Sequence, residues 1–221
     1  MEIGGCIFPD DRLYDREGLV RVKFSFEYNY FTLGITQLNA YLIGKITSLV
    51  IKKKGTELSA GKNLAYVETP KYFGSIIVPI SSIVQDVNEE VLFNPSLLNS
   101  NPYERGWVAK LIPTNLEAGR SKLTNSNYAC ECAKKIIEER GIRCFSIYPD
   151  FKISGIGGEC PETLRNIGDL LEHANPGSSV LLVTDNPKAD QDVSNWVSIK
   201  GYAILEKRIE PSLKYYIIGK K

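Results

Sequence analysis

The feature that most constrains this chain is a change of pattern near residue 143. Before it, short runs rich in β-branched and aromatic residues follow one another at 19–26, 30–35, 44–50, 63–68 and 74–79. Breaks containing Gly, Pro or Asn, such as Lys54-Gly55, Ala60-Gly61 and Asn94-Pro95, separate them. Such spacing over residues 13–113 predicts a small β sandwich or barrel. Residues 127–140 then read as a helix, with Ala129, Ala133, Ile136 and Ile137 as an apolar stripe and Gly141 as the stop. Beyond 143 the order becomes β-α-β-α-β-β. Residues 145–153 read as a strand and 161–174 as a helix with Leu164, Ile167, Leu171 and Ala174 on one face. Residues 179–184 form a second strand, 189–200 a second helix, and 202–208 with 213–218 a terminal hairpin. That alternation predicts a two-layer α/β sandwich. The expectation is therefore a multidomain chain, with domains 1–143 and 144–221.

Composition narrows the function classes. At 221 residues the chain falls between one and two domains of about 150 residues each. It is 43% apolar, which excludes wholesale disorder. A net charge of +1 gives no reason to expect nucleic acid as the main partner. No apolar run approaches the ~20 residues needed to cross a bilayer, so no membrane association is expected. The start, Met1-Glu2-Ile3-Gly4-Gly5, lacks the regions of an export signal. Five cysteines, an odd number without export, point to reduced thiols in the cytoplasm rather than a disulfide framework. The single histidine, His173, removes most acid–base and zinc chemistry.

Two places carry chemistry. In Tyr66-Val67-Glu68-Thr69-Pro70-Lys71-Tyr72-Phe73-Gly74-Ser75 a lysine stands between two strand-like runs, beside a turn-forming proline. A lysine at a hairpin tip is open to modification, and acylation removes its charge while hanging a long arm from a rigid scaffold. A solvated turn lysine is the plain alternative. In Gly157-Gly158-Glu159-Cys160-Pro161-Glu162-Thr163-Leu164 a cysteine precedes a proline at a helix start. Proline suits the first helical position, which makes Cys160 the N-cap, facing free N–H groups and the positive end of the dipole. That favours thiolate, while Glu159 and Glu162 oppose it. These influences oppose one another and leave the net direction open, as they leave open a capping cysteine with no chemistry.

Longer strings carry two family resemblances. Gly34-Ile35-Thr36, Gly44-Lys45-Ile46, Val67-Glu68-Thr69-Pro70-Lys71 and Val87-Asn88 occur in the order seen in the glycine cleavage system H protein. So does Asn99-Ser100-Asn101-Pro102-Tyr103-Glu104-Arg105-Gly106-Trp107, and residues 17–140 as a whole resemble that family. The resemblance implies a β barrel-sandwich hybrid with a C-terminal helical tail, and lipoate attached covalently to Lys71. Three departures stand out: Glu17-Gly18-Leu19 before the first strand, Pro79-Ile80-Ser81-Ser82 after the hairpin, and Pro70 directly before the lysine. The opening Gly5-Cys6-Ile7-Phe8-Pro9-Asp10 resembles, more loosely, H-like lipoate proteins outside glycine cleavage.

Residues 145–220 resemble the TusA/SirA sulfur carriers. Gly157-Gly158-Glu159-Cys160-Pro161 opens an amphipathic helix, and Asn175-Pro176-Gly177, Asp185-Asn186-Pro187, Asp192-Val193, Trp196 and Lys200-Gly201-Tyr202 follow in order. The resemblance implies that Cys160 carries a persulfide. Thr163 stands where the family usually has a second proline.

Weaker signals have plain readings. Cys130 and Cys132 lie two apart on a helix and project to different sides, and adding Cys144 produces no zinc spacing, so no metal is expected. His173 suits a helix end, Lys52-Lys53-Lys54 a solvated turn, and Tyr14, Tyr28, Tyr30 and Phe31 the β core.

Together these features lead to a carrier without independent turnover, apart from sulfurtransferase chemistry at Cys160. The lipoate-bearing and persulfide-bearing parts would shuttle sulfur between partner enzymes. The resemblances imply lipoate ligase or lipoyl-assembly enzymes, a sulfur donor such as a cysteine desulfurase or rhodanese, and a heterodisulfide reductase-like complex as redox partner. One alternative is a glycine cleavage H protein carrying an aminomethyl group for glycine decarboxylase. Another is an interaction or regulatory protein with neither position loaded.

Overall fold

The β-branched runs of the first part pair into two antiparallel sheets. The computed structural model describes every residue except Phe26, Tyr28, Glu159 and Lys221, and the chain divides into two units, Met1–Cys144 and Phe145–Lys221. In the first unit a six-stranded sheet runs in the spatial order Leu13–Tyr14, Val20–Ser25, Tyr30–Ile35, Trp107–Pro113, Ser82–Val87, Glu57–Leu58. A three-stranded sheet runs Ser48–Ile51, Asn63–Thr69, Tyr72–Ile77. Alternate side chains turn inward, as the pleat requires: Val22, Phe31, Leu33 and Leu111 from the larger sheet, Leu49, Val67 and Ile76 from the smaller, are all buried. Tyr14 and Phe31 are core residues and Tyr30 is half-buried, whereas Tyr28 lies outside the described residues.

The strand expected to begin at Gly44 begins at Ser48. The preceding residues end a helix, Gln37–Ile43, that the strand-rich pattern concealed. Thr36 caps it by accepting from Asn39 N–H, and Gly44 ends it at φ 90°, in a conformation glycine tolerates. Asn99, buried, then fixes the exit, accepting from Ile46 N–H at 2.9 Å and donating to the Gly44 carbonyl at 2.8 Å. The rest of the Asn99–Trp107 string is scaffold too. The buried guanidinium of Arg21 donates to the carbonyls of Pro102 and Gly106. A Cβ at Gly34 would lie 2.8 Å from Arg21 Nη2, and one at Gly106 2.6 Å from the Asn101 carbonyl. Backbone approach this close needs glycine at both positions.

The expected tail is the helix Ser126–Arg140, capped by Asn125 accepting from Tyr128 N–H and ended by Gly141 in the left-handed region. Ala129, Ala133 and Ile137 are buried as the stripe requires, with Ile136 half-buried. The expectation of reduced thiols needs correcting. Cys6 and Cys144 form a disulfide, with Cα atoms 4.8 Å apart and both residues fully buried. An N-terminal hairpin, Glu2–Ile3 with Cys6–Ile7, packs beside the helical tail. Cys144 N–H donates to the Gly4 carbonyl at 2.9 Å. Counting cysteines could not foresee a pair brought together across 138 residues by this packing.

The second unit has the expected β-α-β-α-β-β order. Its sheet runs Phe151–Ser154, Ser179–Thr184, Lys214–Gly219, Ala203–Ile209, the first pair parallel and the others antiparallel. The helices Cys160–His173 and Ala189–Lys200 cover one face, burying Leu164, Ile167, Leu171, Val193 and Val197 against Val180, Leu182, Tyr216 and Ile218. The first strand is shorter than the expected 145–153. Residues 145–150 are held in irregular form because Glu206 Oε2 accepts from Ser146 N–H and Oγ and from Ile147 N–H, and Pro149 has no N–H to offer a ladder.

Candidate carrier sites

Lys71 is the second residue of a two-residue turn joining Asn63–Thr69 to Tyr72–Ile77, with Thr69 and Tyr72 as the last paired residues. Pro70 fixes a negative φ, and Lys71 is not among the residues with positive φ, so the turn is of the unprimed kind. Pro70, Lys71, Tyr72 and Phe73 are all exposed. The buried Thr69 braces the turn: its Oγ1 accepts from Lys71 N–H at 3.3 Å and donates to the Ile43 carbonyl at 3.0 Å. Gly74 leaves room for the Tyr72 phenol, which a Cβ there would strike. The result is a primary amine on a rigid base, free of ion pairs among the described residues. Such an amine fits acylation by a carboxylic acid cofactor.

Cys160 is different. It is the first residue of the helix Cys160–His173 and is 6% exposed, a member of the unit's core cluster. Burial pushes its thiol up to about 11, and the negative charge of Asp192 adds to this. The balance that the sequence left open thus falls on the side of the protonated thiol: burial outweighs the dipole. Of the two opposing glutamates named above, Glu159 lies outside the described residues. The acid that acts on Cys160 comes from the second helix, Ala189–Lys200. Sequence reasoning placed Asp192 in a family string without a role; a position facing Cys160 was not visible from a separation of 32 residues.

The loop before the thiol is tied down. Asp185 accepts from Gly157 N–H at 3.0 Å, and Gly155 N–H donates to the Val183 carbonyl at 2.7 Å. Thr163 packs on this loop, since a Cβ at Gly155 would meet its methyl at 3.0 Å. Nearby, Tyr216 donates to Asp190 Oδ1 at 2.9 Å; Asp190, also paired with Lys207 and Lys214, is held down at about 2. Cys130 is buried, Cys132 half-buried, and among the described residues no three metal-ligating side chains converge. Among the described residues, no helix is long and apolar enough to cross a membrane.

Comparison with known proteins finds two families along the chain. The family model "Glycine cleavage H-protein" covers residues 17–136, and "Sulfurtransferase TusA" covers residues 156–220. The chain is 35% identical over 147 residues to "Glycine cleavage system H protein 5" of Aquifex aeolicus, spanning 65% of this chain and 98% of that protein. It is 39% identical over 111 residues to "Probable glycine cleavage system H protein 3" of Saccharolobus solfataricus, spanning 50% of this chain and 78% of the other. A crystal structure of a glycine cleavage system H protein from Mycobacterium marinum superposes with a TM-score of 0.50 at 22% identity, covering 61% of this chain and all of that one, a likeness of fold. The chain therefore belongs to the glycine cleavage H-protein family through residues 17–136 and continues into a TusA domain over residues 156–220.

Proposed function

We propose that this protein is a two-position carrier, loaded with lipoate at Lys71 and with sulfane sulfur at Cys160, which moves sulfur between partner enzymes. The observation that carries the reading is the exposed amine at the tip of the braced hairpin. When bound there, lipoate supplies a dithiol/disulfide couple on a swinging arm, which raises its local concentration at successive active sites. The chain's own part is to hold the attachment point still while leaving it open on all sides.

At Cys160 the thiol loses its proton and attacks the outer sulfur of a donor persulfide. A Cys160 S–S bond forms as the donor S–S bond breaks, and the departing donor thiolate takes up the proton. Because the resting thiol is buried and holds its proton, this step begins with a donor protein that draws the thiol outward. Cysteine desulfurases and rhodaneses have the chemistry of such donors, and a heterodisulfide reductase-like complex has the chemistry to reoxidise or unload the dithiol.

Intact mass after expression in a lipoylating host, alongside Lys71→Ala, tests the first position. The lipoyl mass is expected on the wild type and its loss in the variant; an unmodified wild type contradicts the reading. The names of the relatives favour a second reading, an H protein carrying an aminomethyl group. Reconstitution with glycine decarboxylase decides between them, since only the second reading expects glycine turnover.

A further inference from the structure

The outward face of the three-stranded sheet exposes aromatic and aliphatic side chains side by side. Phe73 is 71% exposed and stacks on Tyr66 with ring centroids 6.1 Å apart and planes within 7°. Val50, cross-strand from Tyr66 and 62% exposed, extends the apolar centre. Lys71 lies at one end of this face. At the other end Lys52 N–H bonds the Leu64 carbonyl, roughly 17 Å from the turn at about 3.3 Å per residue. There Lys52, Lys53, Lys54 and Lys62 gather, all exposed, with no carboxylate in salt-bridge range among the described residues. Lys52 Nζ sits 6.0 Å from the Tyr66 ring centre. Residues 44–79 hold six lysines and two glutamates, while the whole chain nets only +1. The positive charge is thus concentrated in the turns and strand ends of the segment that builds this sheet.

We propose that this face is the docking surface for the enzyme that acylates Lys71, and that the enzyme presents an apolar patch flanked by carboxylates. The inference rests on the reading of Lys71 as a lipoyl site. The amine stands only one lysine side chain above the turn, so an enzyme that acylates it must close on the hairpin. An enzyme working at the far end of the acylated arm need not. Laid along the sheet from the turn, such an enzyme covers the Tyr66–Phe73 stack and reaches the lysines at the far end. Their charges lie away from the reacting amine, where they steer encounter rather than take part in chemistry. Glu68, exposed on the central strand close to the turn and cross-strand from Phe73, disfavours a phosphate backbone there and favours a protein partner.

The test uses the full apo chain and a purified lipoate–protein ligase. Transfer to Lys71 is followed by intact mass, and binding by biolayer interferometry, between 50 and 300 mM salt. Wild-type kcat/KM is expected to fall severalfold across that range. The triple variant Lys52→Glu, Lys53→Glu, Lys54→Glu is expected to lose tenfold or more at 50 mM salt and to lose the salt dependence. Phe73→Ser is expected to weaken binding at every salt concentration, while Lys134→Glu with Lys135→Glu, on the helix Ser126–Arg140, changes nothing. Circular dichroism melts confirm folding. A triple variant that binds and is acylated like the wild type overturns the docking face alone. A wild type that takes no lipoyl group overturns the reading of Lys71 as well. Loss of single-stranded DNA binding in the triple variant with unchanged ligase kinetics would reassign the face to nucleic acid and overturn the proposal.

Discussion

Thr69 Oγ1 donates a 3.0 Å hydrogen bond to the Ile43 carbonyl, joining the base of the Lys71 turn to the end of the helix Gln37–Ile43. The same oxygen accepts from Lys71 N–H. Removing the hydroxyl while keeping the shape leaves both backbone groups unpaired. Thr69→Val is therefore expected to cost about 1 kcal/mol in urea unfolding and to slow lipoyl transfer to Lys71 severalfold, with Thr69→Ser restoring both. An unchanged transfer rate in the folded variant would show that the brace does not serve the turn.

The Cys160 thiol gives a pH prediction. Its raised value means that the proton is held above the usual range, with burial as the larger cause and Asp192 the second. Peptide-mapped alkylation of Cys160 by iodoacetamide should climb about tenfold per pH unit from pH 7 to 10, bending only near pH 11, where an ordinary thiol bends near about 8.5. Asp192→Asn removes the carboxylate's share. Its rate at pH 8 should rise about threefold for each unit of pKa lost, since weaker nucleophilicity offsets part of the gain in thiolate. A plateau below pH 9 in the wild type would contradict the buried, protonated thiol.

The disulfide gives a stability prediction for the first unit. Cys6 and Cys144 close a loop spanning 138 residues, which restricts the unfolded chain. Replacing both by Ser should lower the stability of that unit by about 2–4 kcal/mol. The measurement is hydrogen exchange in the strands Val20–Ser25 and Tyr30–Ile35, with the strand Ser179–Thr184 unaffected as the internal control. Equal loss of protection in both places would mean that the cross-link does not act on the first unit alone.

Asn99 anchors the string that carries much of the first resemblance. Its side chain accepts from Ile46 N–H and donates to the carbonyls of Gly44 and Ala40 in a buried setting. Asn99→Ala should cost about 2–3 kcal/mol in urea unfolding, because polar backbone groups are left buried without partners. A loss below about 0.5 kcal/mol would show that water replaces the amide.

The Lys71 hairpin was legible because its information is local: two β-patterned runs, 63–68 and 74–79, with Pro70 marking a turn between them, although the strands extend further and leave a turn of only two residues. The helices of the second domain were legible from their apolar spacing, Leu164, Ile167 and Leu171 on one and Val193 and Val197 on the other. Gln37–Ile43 was hidden because its apolar residues merge with the strands on either side, and its signal lay in the Thr36 cap and Gly44 stop. The state of Cys160 was not legible. Dipole and nearby glutamates are local terms, but burial and Asp192 are tertiary ones, and the tertiary terms dominate. Cys6 with Cys144 failed to show for the same reason: their approach is a product of packing between the chain's first residues and a helical tail.

A carrier of this kind is loaded by other proteins at two places, Lys71 and Cys160. Its most direct test is peptide mapping of one full-length sample exposed first to a lipoylating system and then to a cysteine desulfurase with its substrate. The lipoyl group is predicted on the peptide containing Lys71 and the additional sulfur on the peptide containing Cys160. A bare Lys71 and an unlabelled Cys160 in protein shown to be folded would contradict it.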